Sequence, residues 1–300
     1  IKIQQRELFF LKKRNNKIIV LIVVAVLFAV SLLIFILNYS KDNSSFSILE
    51  KKWINDNTSN VLDISVYNDV PVYGKSGKGV IFDLLDDFTT TYGINFNKIS
   101  YSVDSSSNLN KNAFRVLNNN ESLTNKDILL YEDNYVLVST EEEVINNIND
   151  IDNHTVAVLK KDLNTVSNDL SEVKKISYLQ KENVNELEEA LKNKETNYVI
   201  VPYNMYMDFI LKNDLHILYH LSDISKKYVL TIENKTFLDI MKKYYLGYQK
   251  NKQQTSYKTN FLSEFFYDKE ITEADRMSYN SSSYNVGYIT YMPFTGKKKK

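Results

Sequence analysis

Few residues in this chain are equipped for covalent or metal chemistry. The 300 residues hold three histidines and no cysteine, against 22 tyrosines. Without cysteine there is no thiolate nucleophile, thiolate metal site, disulfide or lipid-modified cysteine. His216 and His220 stand four apart, a spacing that on a helix would chelate a metal. HILYHL has the apolar character of a strand, however, and no cluster of carboxylates accompanies the pair, so no metal is expected. No nucleophile elbow, phosphate loop or zinc signature is present. The chain is therefore read as non-catalytic and without a cofactor. Lys161, Asn164 and Thr165 follow a strand pattern and precede a helical one, where backbone N–H groups can hold an anion; ordinary capping accounts equally for Asn164 or Thr165. Tyr203 and Asn204 stand at a similar strand-to-helix junction.

These residues need a frame, and the composition supplies one. At 43% hydrophobic and 13% aromatic content the chain can bury a sizeable core. Formal charge balances at zero, with 37 basic and 37 acidic residues. Six of the basic residues fall within residues 1–17, beside the single acid Glu7, so the remainder is mildly acidic. Beyond that segment only Arg115 and Arg276 carry guanidinium groups, which argues against a nucleic-acid partner. Residues 18–37 read IIVLIVVAVLFAVSLLIFIL, with Ser31 the lone polar residue. Twenty residues at about 1.5 Å each span the roughly 30 Å of a hydrocarbon core. The basic flank keeps the N-terminus cytoplasmic. The reading is a single-pass cell-membrane protein with a cytoplasmic segment 1–17, a transmembrane helix 18–37, a polar stalk 38–60 and the bulk of the chain outside.

From Val61 strands alternate with helices. Leu62 to Val66 alternates as a strand does. Ile81, Leu84, Leu85, Phe88 and Tyr92 recur at helical spacing, with Gly93 placed as a C-terminal cap, and Ile94 to Ile99 is the next strand. Thr155 to Leu159, Lys174 to Leu179, Asn197 to Val201 and Lys227 to Ile232 read as further strands. Helices are expected around Val184 to Leu191, from Pro202 to Leu211 and over Phe237 to Tyr248. This pattern implies an α/β architecture with largely parallel sheets. ISVYNDVPVYGK at 64–75 also resembles VGYITYMPFTGK at 286–297, so a second copy of the domain is expected to begin within 285–300.

The stretch LDISVYNDVPVYGKSGKGVIFDLLDDFTTTYGINFNKISY resembles the opening of family 3 extracellular solute-binding proteins: a strand, a proline-containing ligand loop, a Gly-rich turn and a helix of the form G-F-D-x-D-L ending in Gly. DNHTVAVLKK resembles the strand that begins the second lobe of that family, ETNYVIVPYNMYMDFIL its ligand-facing strand and helix, and KKYVLTIENKTFLDIMKKYYLGY the return to the first. The resemblance implies a two-lobed, periplasmic-binding-protein-like (type II) α/β domain over 61–270, preceded by the one transmembrane helix. Lobe one would cover about 61–140 and 233–270, and lobe two about 141–232. It further implies that Asn68, Asp69 and Tyr73 face a ligand cleft and that Tyr131 and Tyr135 lie near the first hinge strand, although packing would also account for two tyrosines. Amino-acid-binding members place an arginine in the region matched by SLTNKDILLYEDNY; Lys126 is the nearest cation here and lacks the planar fork that grips a carboxylate. The aspartate that holds a ligand's ammonium is matched by Pro202. The expected ligand is thus a small molecule other than a standard α-amino acid.

An anchored copy of this domain resembles sensory receptors that work with a downstream signalling domain. The alternatives are a tethered substrate-binding component of an ABC transporter, the non-catalytic part of a membrane-bound enzyme such as a murein lytic transglycosylase, or a surface protein with no ligand. The orientation is open to a direct test. In an otherwise cysteine-free chain, Ser45→Cys and Ser281→Cys should each react with a membrane-impermeant thiol reagent on intact cells, and Gln4→Cys should not. Labelling of the Gln4 position alone would reverse the topology.

Overall fold

A computed structural model describes Ser31 and residues 46–105, 109–118 and 121–281. All but Ser31 of the apolar run 18–37, and the whole of 285–300, lie outside the described residues. None of the described helices is long and apolar enough to cross a membrane.

Among the described residues eight strands form one sheet in the order β4 (Asn95–Tyr101), β1 (Val61–Tyr67), β5 (Asn112–Leu117), β10 (His216–Ile232), β6 (Asp127–Ser139), β9 (Tyr198–Pro202), β7 (Thr155–Leu159) and β8 (Ser177–Lys181). Its first half contains β1 (Val61–Tyr67), which runs parallel to β4 (Asn95–Tyr101) and β5 (Asn112–Leu117). Its second half contains β7 (Thr155–Leu159), parallel to β8 (Ser177–Lys181) and β9 (Tyr198–Pro202). Two long strands join the halves. β6 (Asp127–Ser139) has 13 residues and β10 (His216–Ile232) has 17, and they pair antiparallel with each other. Along β10 the register breaks between Leu221 and Ser225, opposite the adjacent residues Tyr135 and Asn134. The extra residues bend the strand there. On one side of the break β10 pairs with β5; on the other, β6 pairs with β9. The chain therefore forms two lobes.

Alternation along β6 shows how one strand serves two cores. Tyr135 and Leu137 enter one apolar cluster of lobe two, while Val136 and Val138 enter the cluster on the opposite face. Lobe one has its own core, built from Tyr67, Leu85, Phe88, Phe114, Phe237 and their neighbours. Helix α2 (Val80–Tyr92) supplies much of it and ends at Gly93, whose φ of 73° lets its N–H reach the Thr89 carbonyl at 2.7 Å. Helix α6 (Lys235–Tyr248) packs beside it through Phe237 and Tyr244.

Several elements differ from the pattern-based expectation. The segment read as stalk contributes helix α1 (Ile48–Asn57), started by a reciprocal cap between Ser47 and Glu50. Trp53 of α1 stacks on Phe237 at 5.1 Å and Phe46 is buried, so this segment packs on lobe one. The strand expected at 174–179 lies at Ser177–Lys181. Pro202 closes β9 rather than opening a helix, and helix α5 (Met207–Lys212) starts only after a turn. In lobe two, α3 (Leu163–Asp169) and α4 (Val184–Lys192) complete the βα pattern. After α6 the chain makes a π-helical turn, Gln249–Gln253, and continues as α7 (Gln254–Asp268) and α8 (Glu273–Ser281).

Phe88 is fully buried and touches the rings of Tyr92, Phe96, Phe237 and Tyr244. Phe88→Ala should destabilise the domain by about 3–5 kcal/mol, read as a lower urea midpoint with an unchanged slope.

Candidate functional site at the lobe junction

The loop after β1 is shaped by a tight turn. β2 (Asp69–Val70) and β3 (Gly74–Lys75) form a short ribbon, and between them the Tyr73 N–H donates to the Pro71 carbonyl at 2.6 Å. This places Val72 at φ 64°, a strained value for a β-branched residue. The turn sends Tyr73 inward. Its ring stacks on Tyr228 at 4.9 Å and on Tyr131 at 5.0 Å, and Tyr257 of α7 lies at 5.9 Å. Gly79 opens the following helix, and a Cβ there would stand 2.5 Å from the Tyr73 carbonyl oxygen. Only glycine fits beside that turn.

Beneath the rings lies Asp133 of β6, fully buried. One carboxylate oxygen accepts from the Asn204 N–H at 2.9 Å and its side-chain amide at 3.0 Å; the other accepts from the Met205 N–H and the Tyr228 hydroxyl, both at 3.0 Å. Burial pushes the Asp133 pKa up, and these donors pull it partway back. Asn204 also donates to the Tyr131 hydroxyl at 3.1 Å and accepts from the Tyr257 hydroxyl at 2.9 Å. A lobe-two turn is thereby bound to a hinge strand, to lobe one and to α7.

Among the described residues four ionic ties cross the junction, one of them at the surface between Lys269 and Asp214. Deepest is Lys226 of β10 with Asp162, which precedes α3: 2.7 Å apart, with side chains 4% and 2% exposed. Lys226 also donates to Asn118 at 2.9 Å, and the Tyr135 hydroxyl donates to Asp162 at 2.9 Å. The second Asp162 oxygen has no protein partner. Nearer the surface, Lys161 of lobe two reaches Asp104 of lobe one at 2.6 Å and lies over the Tyr206 ring. Burial opposes its charge, but Tyr206 and Asp104 outweigh this and hold the ammonium pKa above its ordinary value. The third tie joins Lys75 of lobe one to Asp208 of α5 at 2.5 Å and to Glu264 of α7 at 2.8 Å. Asp208, Glu264 and Asp268 bring carboxylate oxygens within 4.8 Å of one another, an arrangement that demands positive charge. The Lys75 ammonium supplies it.

The sequence-predicted residues fall into separate groups. Tyr73 and Tyr131 meet in the ring stack. Tyr135 and Lys161 lie around Asp162. Asn68 accepts from the Gly77 N–H at 2.7 Å and shapes the loop. Asp69 accepts from the Ser102 hydroxyl at 2.6 Å and the Val103 N–H at 3.1 Å, bracing the loop after β4. Tyr203 donates its N–H to the Asn134 carbonyl at 3.1 Å and packs on lobe two. Asn164 and Thr165 lie inside the first turn of α3, whose cap position belongs to Asp162. Lys126 is exposed and paired with Glu233. It precedes β6 and stands about 30 Å of extended strand from Tyr135, so the structure does not bring it to the junction.

Sequence reading missed Asp133, Lys226, Asp162, Lys75, Asp208 and the α7 residues. Asp133 and Lys226 carried no clear local signal, because each stands among other polar residues, Glu132 and Asn134 in one case and Ser225 and Lys227 in the other.

No known family profile matches this sequence, and no curated protein matches it. Solved structures do. The periplasmic VFT2 domain of BvgS from Bordetella pertussis superposes with a TM-score of 0.52 at 13% identity, covering 72% of this chain and 98% of that one. AbpA from Streptococcus pneumoniae, an amino acid ABC transporter substrate-binding protein bound to L-arginine, gives 0.51 at 16% identity over 71% and 99%. Substrate-binding domain 2 of GlnP from Lactococcus lactis, in its open conformation, gives 0.51 at 13% over 66% and 94%. The fold is that of a two-lobed solute-binding domain. At these identities the likeness concerns the fold.

Two predictions concern the junction of this two-lobed domain. Lys226→Met leaves the buried Asp162 carboxylate uncompensated and should cost about 3–5 kcal/mol; the double variant Lys226→Met/Asp162→Met should recover part of that loss in the same denaturant titration. The second concerns pH. Partial burial and the neighbouring Asp208 carboxylate raise the Asp268 pKa to about 6, against the pull of Lys75. An acid whose folded pKa is raised binds its proton more tightly when folded. Its contribution is fully present below the unfolded value of about 4 and is lost as pH rises through 6. Asp268→Asn should therefore flatten the fall in stability between pH 4 and pH 6.5, measured by thermal unfolding across that range.

Proposed function

We propose that this chain is a membrane-tethered, extracytoplasmic sensor domain of the solute-binding type, in which a small solute acts by changing how the two lobes meet. The observation that carries this reading is the junction itself. Lys226–Asp162, Lys161–Asp104 and Lys75–Asp208 are each made by side chains from the two sides of the crossover. A molecule entering between the lobes must displace or extend these ties, so its binding energy is exchanged against lobe contacts. Helix α7 holds both lobes, through Asn260 to Asp83 on one side and Tyr257 to Asn204 on the other. Relative motion of the lobes is thereby passed to the end of the domain. Tethering rests on the apolar run 18–37 and its basic flank. The similar structures named above are binding domains, in keeping with a non-catalytic role.

The ligand is read as a small solute other than a standard α-amino acid. Such a ligand presents a carboxylate and an ammonium that must both be neutralised. Here Lys126 is committed to Glu233, Pro202 lies buried at the end of β9, and the Asp162 carboxylate already holds Lys226. Likeness to AbpA favours a second reading, a tethered binding component of an importer.

Thermal-shift screening of the full chain in neutral detergent separates the ligand classes, because a solute that binds only the folded state raises its stability by mass action. The twenty amino acids at about 100 μM should leave the melting temperature unchanged. A rise of several degrees with any of them would refute the ligand assignment and support the importer reading.

A further inference from the structure

Helix α1 carries large apolar residues on the outside of lobe one. Its inner face is committed to the core: Trp53 stacks on Phe237, Ile54 is buried, and Glu50 takes the Lys243 ammonium at 2.7 Å. Its first turn is different. Ile48 is 89% exposed and Leu49 72%. The helix runs antiparallel to α6, since Glu50 meets Lys243 while Trp53, further along, meets the earlier Phe237. The start of α1 therefore lies beside the end of α6, where Phe46 and Gly247 line one cavity. Leu246, 66% exposed, stands at that same end. A single exposed leucine is ordinary; here three large apolar side chains gather at one end of one lobe.

The charge that accompanies them is basic. Lys51 and Lys52 follow directly on α1, and Lys250 stands one turn beyond Leu246. All three are exposed, and none has an ion-pair partner among the described residues. Nearby acids are taken, Glu50 by Lys243 and Asp87 by Lys252. Asp56 lies two turns further along α1, toward its other end.

Position in the chain indicates what faces this end. Ile48 comes eleven residues after Leu37, the last residue of the apolar run. At most about 40 Å of extended chain can separate the two. Where the run spans a bilayer, the first turn of α1 is held near the surface of that bilayer. An encounter made intramolecular in this way needs little intrinsic affinity. Val144 is as exposed, at 85%, but belongs to lobe two and is under no such constraint.

We propose that this end of lobe one rests on the bilayer that anchors the chain, with Ile48, Leu49 and Leu246 entering the headgroup region and Lys51, Lys52 and Lys250 meeting anionic lipid. Apolar side chains flanked by lysines are the composition that seats a helix in a membrane interface. The inference rests on the tethering read from residues 18–37 and adds an orientation to it: lobe one, not lobe two, faces the membrane.

The test uses the full chain, which has no native cysteine, in nanodiscs containing phosphatidylglycerol. Single spin labels are placed through Leu49→Cys, Leu246→Cys, Val144→Cys and Ser31→Cys. Power-saturation EPR compares accessibility to oxygen, which concentrates in lipid, with accessibility to a water-soluble nickel chelate. The oxygen-to-nickel ratio should be at least threefold higher at the Leu49 and Leu246 positions than at the Val144 position. Lys51→Glu/Lys52→Glu should bring the ratio at the Leu49 position down to that at Val144. The Ser31 label lies in the apolar run and reports the anchor separately. A high ratio there with a low one at Leu49 or Leu246 overturns the docking and leaves the tether standing; a low ratio at Ser31 overturns both. The docking also falls if the Val144 ratio matches that at Leu49, or if the charge reversal leaves the Leu49 ratio unchanged. Dipolar broadening between Leu49 labels would assign the face to a second copy instead and overturn it too.

Discussion

β6 and β10 pair with each other over nearly their whole length, and each is longer than either lobe's sheet requires. Because a strand's side chains alternate between faces, a single register must serve the cores of both lobes at once. The break between Leu221 and Ser225 is where that double demand is met. It lets β10 leave one sheet and enter the other while its partner β6 continues. Every junction contact described above depends on where this crossover falls, since Asp133, Tyr135 and Lys226 lie within a few residues of it.

The interior near the crossover is unusually polar. A carboxylate in low dielectric is costly unless donors meet it, and Asp133 has four bonds from three residues. Asp162 is met on one oxygen, by Lys226 and the Tyr135 hydroxyl. Such a pair adds little net stability over apolar packing, yet removal of one member leaves a charge stranded. In this arrangement of the lobes the Lys226 and Asp162 charges meet each other. The tyrosines act likewise: their rings pack, and hydroxyls of several of them supply donors to Asp133, Asp162 and Asn204.

Helix α7 extends this logic outward. α7 has no fully buried residue, but Tyr257 and Phe261 pack against the lobe-one core. Polar contacts add to that hold, among them Ser256 and Asn260 to Asp83, Tyr257 to Asn204, and Glu264 to Lys75. Contacts of this type rearrange at small cost compared with the cores of the lobes.

Much of the secondary structure was legible in the residues alone. β1, α2, β4, β7, α4, β9 and α6 each carry a strand or helix period strong enough to read, and Gly93 marks the end of α2 because its left-handed conformation excludes most other residues. β5 and α7 were not read: NAFRVL has little alternation, and in α7 the stripe Tyr257, Phe261 and Phe265 stands among many polar residues. The candidate site divides in the same way. Loop residues such as Tyr73 could be singled out locally, but its partners lie far along the chain, at Tyr131, Tyr228 and Tyr257. Lys126 stood near the expected position in sequence and far from it in space, because an extended strand carries nine residues about 30 Å. What the residues by themselves determined was the apolar run, the α/β alternation and the turns, since these depend on neighbours within a few positions. Which charges met was decided only by tertiary structure. The partner of a buried Lys226 is whichever carboxylate the crossover of two strands brings within 3 Å, and that distance is set by the packing of both lobes at once.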